Sequence, residues 1–473
     1  MFKVALYSRH TYGDLLSEVA PTPFFDTDAF FHVSLDFCQL PNRDLMHWSG
    51  KLVLSAVWVL AGTSSYLIVP EAGPFLLPLA SLAPILWYPE PGLMRHLWAP
   101  SLLARLLAVA SAYFFINATW STAQGPAYVG AATFFAVSVV VHVVSRTMAY
   151  LDREPVRSMS TGFYAAFVVC ALLASIEIIF KNPLYLSFLA KFPALAPQKS
   201  GIVIEAGIVK SLPSYLLNRQ MAALVFLFWP ALLVASRLAS SPALRWVLAA
   251  CLAPAIAAIF MSDHETSKLA IAGGAVVFGL VSLAPRLTKP LLTAAWVLAC
   301  VAVVPLTSLA YHQQLHKAAW LQPSAQHRIV IWGVTSSKVA EAPWLGHGLV
   351  AARELALRDK EQPTYADGSP FMLSTGWHAH NVYLQAWFDA GAVGAALLLA
   401  IGLFVLGSIS RVTADVQPVL YAAFSSNALL AGSSFSIWSS WFLASCAFSA
   451  ICAVLAWRFA TTARDEDNAL ASG

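Results

Sequence analysis

Runs of about twenty mostly apolar residues recur along this chain, each long enough to cross the hydrocarbon core of a bilayer as a helix. They fall at 51–70, 73–89, 97–116, 126–146, 160–180, 220–237, 244–261, 268–285, 290–311, 381–409, 418–437 and 440–458. The charge content agrees. Only 11% of the 473 residues are charged and 59% are hydrophobic, whereas a soluble domain carries about 25% charged residues. The fold class is therefore all-α: a polytopic integral membrane protein with about twelve transmembrane helices. The net charge of +4 is too small to argue for nucleic acid as a partner. Six cysteines (Cys38, Cys170, Cys251, Cys300, Cys446 and Cys452) stand singly. They form no Cys-x-x-Cys pair or metal-ligand spacing and read as packing residues.

Loop charge sets the expected orientation. One set of connections carries Arg95; Arg146, Arg153 and Arg157; Arg237 and Arg245; Arg286 and Lys289; and Arg411. The alternate connections "VPEAG" and "NATWSTAQG" carry no Lys or Arg. Cytoplasmic loops hold the excess of positive charge, so both termini are expected in the cytoplasm. Residues 1–50 lack a long apolar stretch behind a basic start and read as a cytoplasmic segment, not a cleaved signal peptide. Residues 51–311 then hold nine spans, 381–458 hold three, and 459–473 form a cytoplasmic tail.

Two long connections on the outer side break the pattern. Residues 181–219 contain Lys181, Lys191, Lys199, Lys210 and Arg219 against one acid, Glu205. Residues 312–380 form a large periplasmic loop with His312, His316, Lys317, His327, Arg328, His347, Arg353, Arg358, His378 and His380. Long segments translocate largely regardless of charge, so the bland reading is two long outer loops. The sharper one is a basic surface for an anionic ligand, since loops this long are usually functional or disordered. Inside the second loop, "HRIVIWGVTSSKVAEAPWLGHGL" has helical spacing, and such a helix could lie in the membrane interface.

The stretch "TGWHAHNVYLQAWFDAGAVGAALLLA", residues 375–400, concentrates unusual residues at a helix start. From His380 to Gly391 is about three turns, which would put His380, Leu384, Trp387, Gly391 and Gly394 on one face. The glycines would let a neighbouring helix approach closely. A histidine at the helix N-terminus would face partial positive charge, a setting that suits phosphate and keeps the imidazole neutral. The plainer alternative is that His380 merely caps the helix beside Asn381. Asp389, deep in the same span, reads as a residue held by an ion pair or hydrogen bond. Glu177 could pair with a loop lysine, and Trp332 and Trp344 could line a sugar path.

His380-Asn381, nine residues, Gly391, two residues and Gly394 resemble the H-[NSQ]-x9-G-x2-[GTY] pattern of bacterial O-antigen ligases. The segment from His327 to Leu349 resembles the R-x-x-x-W … P-x-x-G-x-G stretch of the wider ligase and polymerase superfamily. "LPSYLLNRQMAALVFLFWPALL" is similar to the family's Asn-Arg segment entering a mid-chain span. The resemblance covers roughly residues 50–460.

It implies an inverting glycosyltransferase, without metal or other cofactor, that moves a glycan from undecaprenyl diphosphate to lipid A–core oligosaccharide at the periplasmic face of the inner membrane. By this resemblance His380 and Arg328 are the catalytic residues, with His380 either deprotonating the acceptor hydroxyl or orienting the donor and Arg328 on the donor's diphosphate. His378, Asn381, Gly391, Gly394 and Asp389 support them. Many relatives carry a Thr/Ser-x-Ser-Arg stretch where this chain has "SDHETSKLAI". Either Arg219 or Lys268 is then the second diphosphate ligand, and sequence leaves that choice open. The same motifs would suit an O-antigen or exopolysaccharide polymerase or a protein O-oligosaccharyltransferase. A transporter is disfavoured, because the basic residues gather in outer loops and not at mid-span.

Overall fold

The computed structural model describes residues 50–87, 101–192, 202–205, 208–239, 241–358, 378–433 and 435–472, all within one unit, residues 49–473. Cys38 and Arg95 lie outside the described residues. Apolar runs in lipid must satisfy their own backbone groups, and helices do so within each segment. The first half contributes α1 (Gly50–Ile68), α2 (Gly73–Trp87), α3 (Leu102–Asn117), α4 (Gln124–Tyr150) and α5 (Arg153–Ile179). A short α6 (Pro183–Lys191) and a two-stranded antiparallel hairpin, β1 (Val203–Glu205) and β2 (Ile208–Ser211), follow. Next come α7 (Asn218–Leu238), α8 (Pro242–Ala250), α9 (Ala253–Met261), α10 (Glu265–Leu283), α11 (Pro285–Val301) and α12 (Val303–His312). The chain closes with α13 (Pro323–Val339), α14 (Ala352–Arg358), α15 (Val382–Ile409), α16 (Gln417–Ser433) and α17 (Ser440–Ser472).

Among the described residues, nine stretches are long and apolar enough to span a membrane, or ten if α11 and α12, bent by 65°, make one broken span. The expected twelve included two that fall short of this among the described residues: α2, with 15 residues, and α16, with 17. Burial sorts the spans. The stretch containing α7 is 78% buried, against 22% for α1 and α4. A helix that is apolar all round and covered all round is central, and α7 packs against α5, α16 and α17. Large exposed side chains such as Leu283 and Leu287 lie on outer faces, as lipid contact requires.

Polar contacts divide the connections between two ends. At one end Arg219 meets Glu71, Gln220 donates to Ile68 O, and Asn117 donates to Leu345 O. At the other, Arg237 pairs with Asp415 and Arg458 donates to Leu151 O. Glu177 does not take a lysine. Its Oε1 accepts from the Leu184 and Tyr185 N–H groups at 2.9 and 3.2 Å, capping α6, whose first-turn donors lack helical partners.

Candidate functional site

The segment before α15 is built to hold its histidines still. Asn381 caps the helix, accepting from the Leu384 N–H at 3.1 Å, as short amide side chains do at this position. His380 precedes the cap, outside the helix, with φ +49°, so the shared helix face expected from periodicity does not include it. The His378 ring lies over that of His380, centroids 3.8 Å apart at 32°. Between them, buried Ala379 accepts from Trp332 Nε1 at 2.9 Å, which ties the segment to α13. Trp332 thus acts as a strut, while Trp344 is 75% exposed.

α13 bears out the helical spacing read in the long loop, but its apolar side faces protein. Val330 and Ile331 are buried in a cluster with Val303, Leu384 and Phe388. Its first turns are polar. Gln322 O accepts from the Ala325 and Gln326 N–H groups, and the Gln326 side chain donates back to Ala318 O and Leu321 O. A cavity of about 390 Å³ opens there, lined by Pro323, Ser324, His327, Arg328 and His380. It therefore joins the two residues expected to be catalytic, between the first turns of α13 and the segment that leads into α15.

Burial lowers the pKa of Arg328 from its usual value, and burial with the Arg328 charge holds the His327 imidazole below its ordinary range. His264, in the stretch that departs from the ligase pattern, is pushed down to about 4 by burial and by Arg328. Its Nδ1 lies 2.6 Å from Ser267 Oγ. Neither expected second cation lines the cavity. Arg219 pairs with Glu71 and stands 5.4 Å over the Trp441 ring, and Lys268 pairs with Glu265 at 2.8 Å.

The glycines serve another purpose than close helix packing. At Gly391 α15 breaks, with φ +63° and ψ −160°, a region essentially confined to glycine. The break leaves carbonyls and N–H groups without helical partners, and each must be paired. Phe388 O accepts from the His347 N–H at 2.9 Å, and Asp389 O from the Gly348 N–H at 3.0 Å. Ala390 O accepts from the Tyr113 hydroxyl at 2.7 Å. The Ala392 N–H donates to Pro343 O at 2.9 Å. A Cβ on Gly391 would fall 2.3 Å from the Trp344 backbone. Gly394 is crowded from within its own helix, with Ala390 Cβ at 2.3 Å from its virtual Cβ.

The "PWLGHG" turn is thus docked into the break, and Asn117 locks it. Buried Asn117 donates to Leu345 O and Asp389 O and accepts from the Leu349 N–H at 2.8 Å. His347 is a turn residue, its Nε2 2.8 Å from Lys338 O. Asp389, fully buried, accepts from Trp438 Nε1 at 2.6 Å.

Sequence reasoning named His327 only among the basic residues of its loop, and passed over His264 and Asn117 as site residues. The first had a signal, the i, i+3, i+4 spacing of Ser324, His327 and Arg328 on one helix face. Asn117 had none, since its partners lie far along the chain.

Fold and site together define a polytopic helical membrane protein with a basic, histidine-bearing cavity at one end. Residues 249–399, which take in α13, the cavity and the break, match the O-antigen ligase family model. A protein of Rickettsia conorii, provisionally named a polysaccharide ligase, is 28% identical over 237 residues, 49% of this chain and 55% of that protein. Similarly named proteins of Rickettsia felis and Rickettsia typhi are 26% identical over 237 residues and 25% over 188. They are covered over 56% and 46% of their lengths, so the chain spans about half the length of the curated relatives it matches. Over residues 249–399 the chain is thus similar to the O-antigen ligase family, and the relatives it resembles carry polysaccharide-ligase names.

Proposed function

We propose that this protein transfers a glycan from undecaprenyl diphosphate to lipid A–core oligosaccharide at the periplasmic face of the inner membrane, with inversion and without a metal. The observation that supports this reading is the shared cavity: Arg328 and His380, far apart in sequence, line it together. A sugar hydroxyl is a poor nucleophile until a base takes its proton. His380 accepts that proton as the acceptor oxygen forms its bond to the anomeric carbon. The bond from that carbon to the diphosphate breaks on the opposite face, and the leaving group carries off the electron pair. Arg328 can grip two phosphate oxygens through its planar fork and stabilises the charge that develops there.

Purified protein reconstituted with undecaprenyl-diphosphate-glycan and lipid A–core tests the reading. Ligated lipid A–core, formed equally with EDTA present, is expected. Longer lipid-linked chains with no ligated product would instead identify a polymerase. A cysteine replacing Trp320, 79% exposed, should react with an impermeant thiol reagent from the periplasmic side. Labelling only after the inner membrane is opened would reverse the orientation.

A further inference from the structure

The cavity holds two imidazoles, and the chemistry above uses one. Ser324, His327 and Arg328 share a face of α13, and all three line the cavity with His380. One turn further along, Ile331 is 2% exposed and the helix belongs to the protein core. The polar face thus meets the cavity only over the first two turns, where the helix end also carries partial positive charge. The two cations that sequence offered as second diphosphate ligands, Arg219 and Lys268, hold Glu71 and Glu265 and lie off the cavity lining.

We propose that His327 is a second ligand for the donor's diphosphate, donating a ring N–H to one phosphate oxygen while Arg328 grips the others. This assignment rests on the diphosphate reading of the cavity. Burial, with the neighbouring Arg328 charge, favours the neutral imidazole, which offers one donor and one acceptor nitrogen. An amide side chain can mimic that donor, and a phenyl ring cannot. His380, across the cavity, is left to the acceptor's proton. The cavity's two imidazoles then divide between leaving group and nucleophile.

The phosphate chemistry has two sources, the donor's diphosphate and phosphate groups on the acceptor, and the test separates them. Full-length protein in nanodiscs is titrated with inorganic pyrophosphate by calorimetry, and donor and acceptor KM are measured separately. His327→Ala and the ring-sized His327→Phe should each weaken pyrophosphate binding and raise donor KM by about tenfold, the loss of one charge-assisted hydrogen bond. Acceptor KM and Tm should stay near wild type. His327→Gln should come within about threefold of wild type, because it restores a neutral donor. Lys317→Ala, which removes a basic residue of the same loop outside the cavity lining, should change nothing.

Wild-type pyrophosphate affinity in folded His327→Ala or His327→Phe protein would overturn the assignment. So would a rise confined to acceptor KM, since the residue would then face the acceptor. A wild-type protein that transfers glycan but binds no pyrophosphate sinks this inference and spares the ligase reading. One that does neither removes both.

Discussion

Arg219 and Arg328 stand at the same end of the helical bundle but keep different company. A run of ring contacts joins their surroundings: Arg219 over Trp441, Trp441 against Phe435 at 4.5 Å, and Phe435 against His264 at 5.7 Å. Arg219 has Glu71 as its counter-ion and an aromatic face beneath it. Its charge is answered within the chain, and it fastens the start of α7 to the α1–α2 connection. Arg328 has imidazoles beside it, and among the described residues it forms no salt bridge with any acid. A buried cation is costly without a counter-charge, and an anionic ligand in the cavity would supply one. Sharing one end of the bundle does not give two arginines the same role: one is compensated within the chain, and the other, among the described residues, is not.

The largest expected effect lies on the Arg328 side. His380→Ala should cut glycan transfer by about 10²–10⁴-fold, the range for losing a general base, with expression and insertion intact; His378→Ala should be milder. Transfer at the wild-type rate in His380→Ala membranes would leave His380 as only the residue before a helix cap.

The contrast itself is tested next. Arg328→Ala should lower transfer by about tenfold to a hundredfold, as for a lost hydrogen bond to a charged group, and Arg328→Lys should recover only part, since it keeps the charge without the fork. Arg219→Ala should act on Tm and little on donor KM. Equal losses of donor affinity in the two alanine variants would erase the distinction.

Three further effects concern stability at this end. Gly391→Ala should cost about 1–3 kcal/mol from backbone strain alone, with the clash against Trp344 added, read as a lower Tm in detergent. A variant as stable as wild type would mean that the break relaxes freely. His264 gives a pH test. Its folded pKa, about 4, lies below the ordinary 6.5, so on acidification the unfolded chain takes up a proton that the folded chain refuses. Its contribution is intact above pH 6.5 and is lost as pH falls toward 4, at roughly 1.4 kcal/mol per unit at most. His316 and His327, shifted the same way, add to the slope, and His264→Gln should flatten it in part. The smallest effect is Glu71→Gln, below about 1 kcal/mol, because the pair is solvent-exposed; a larger drop in Tm would make that pair more than a surface fastening.

The residues of the candidate site were unevenly legible. Arg328 and His380 stood out because a charged or titratable side chain near a span is conspicuous against apolar sequence. Glu265, one helical turn before Lys268, was equally visible as an i, i+3 partner, yet Lys268 still drew attention as a cation. Glu71 gave no such hint, because nothing local ties it to Arg219. Gly391 was marked by its pattern and misread in purpose, since counting turns assumes an unbroken helix.

The sequence by itself determined that this chain lives in a membrane as helices. Hydrophobicity summed over one run suffices for that, because each helix closes its own hydrogen bonds. Tertiary structure alone decided where α15 breaks and what the break holds. The carbonyls freed at Gly391 are satisfied by Tyr113, Asn117, His347 and Gly348, groups brought from two distant stretches of chain. No local pattern encodes such a partnership, because its free energy exists only once the helices have packed.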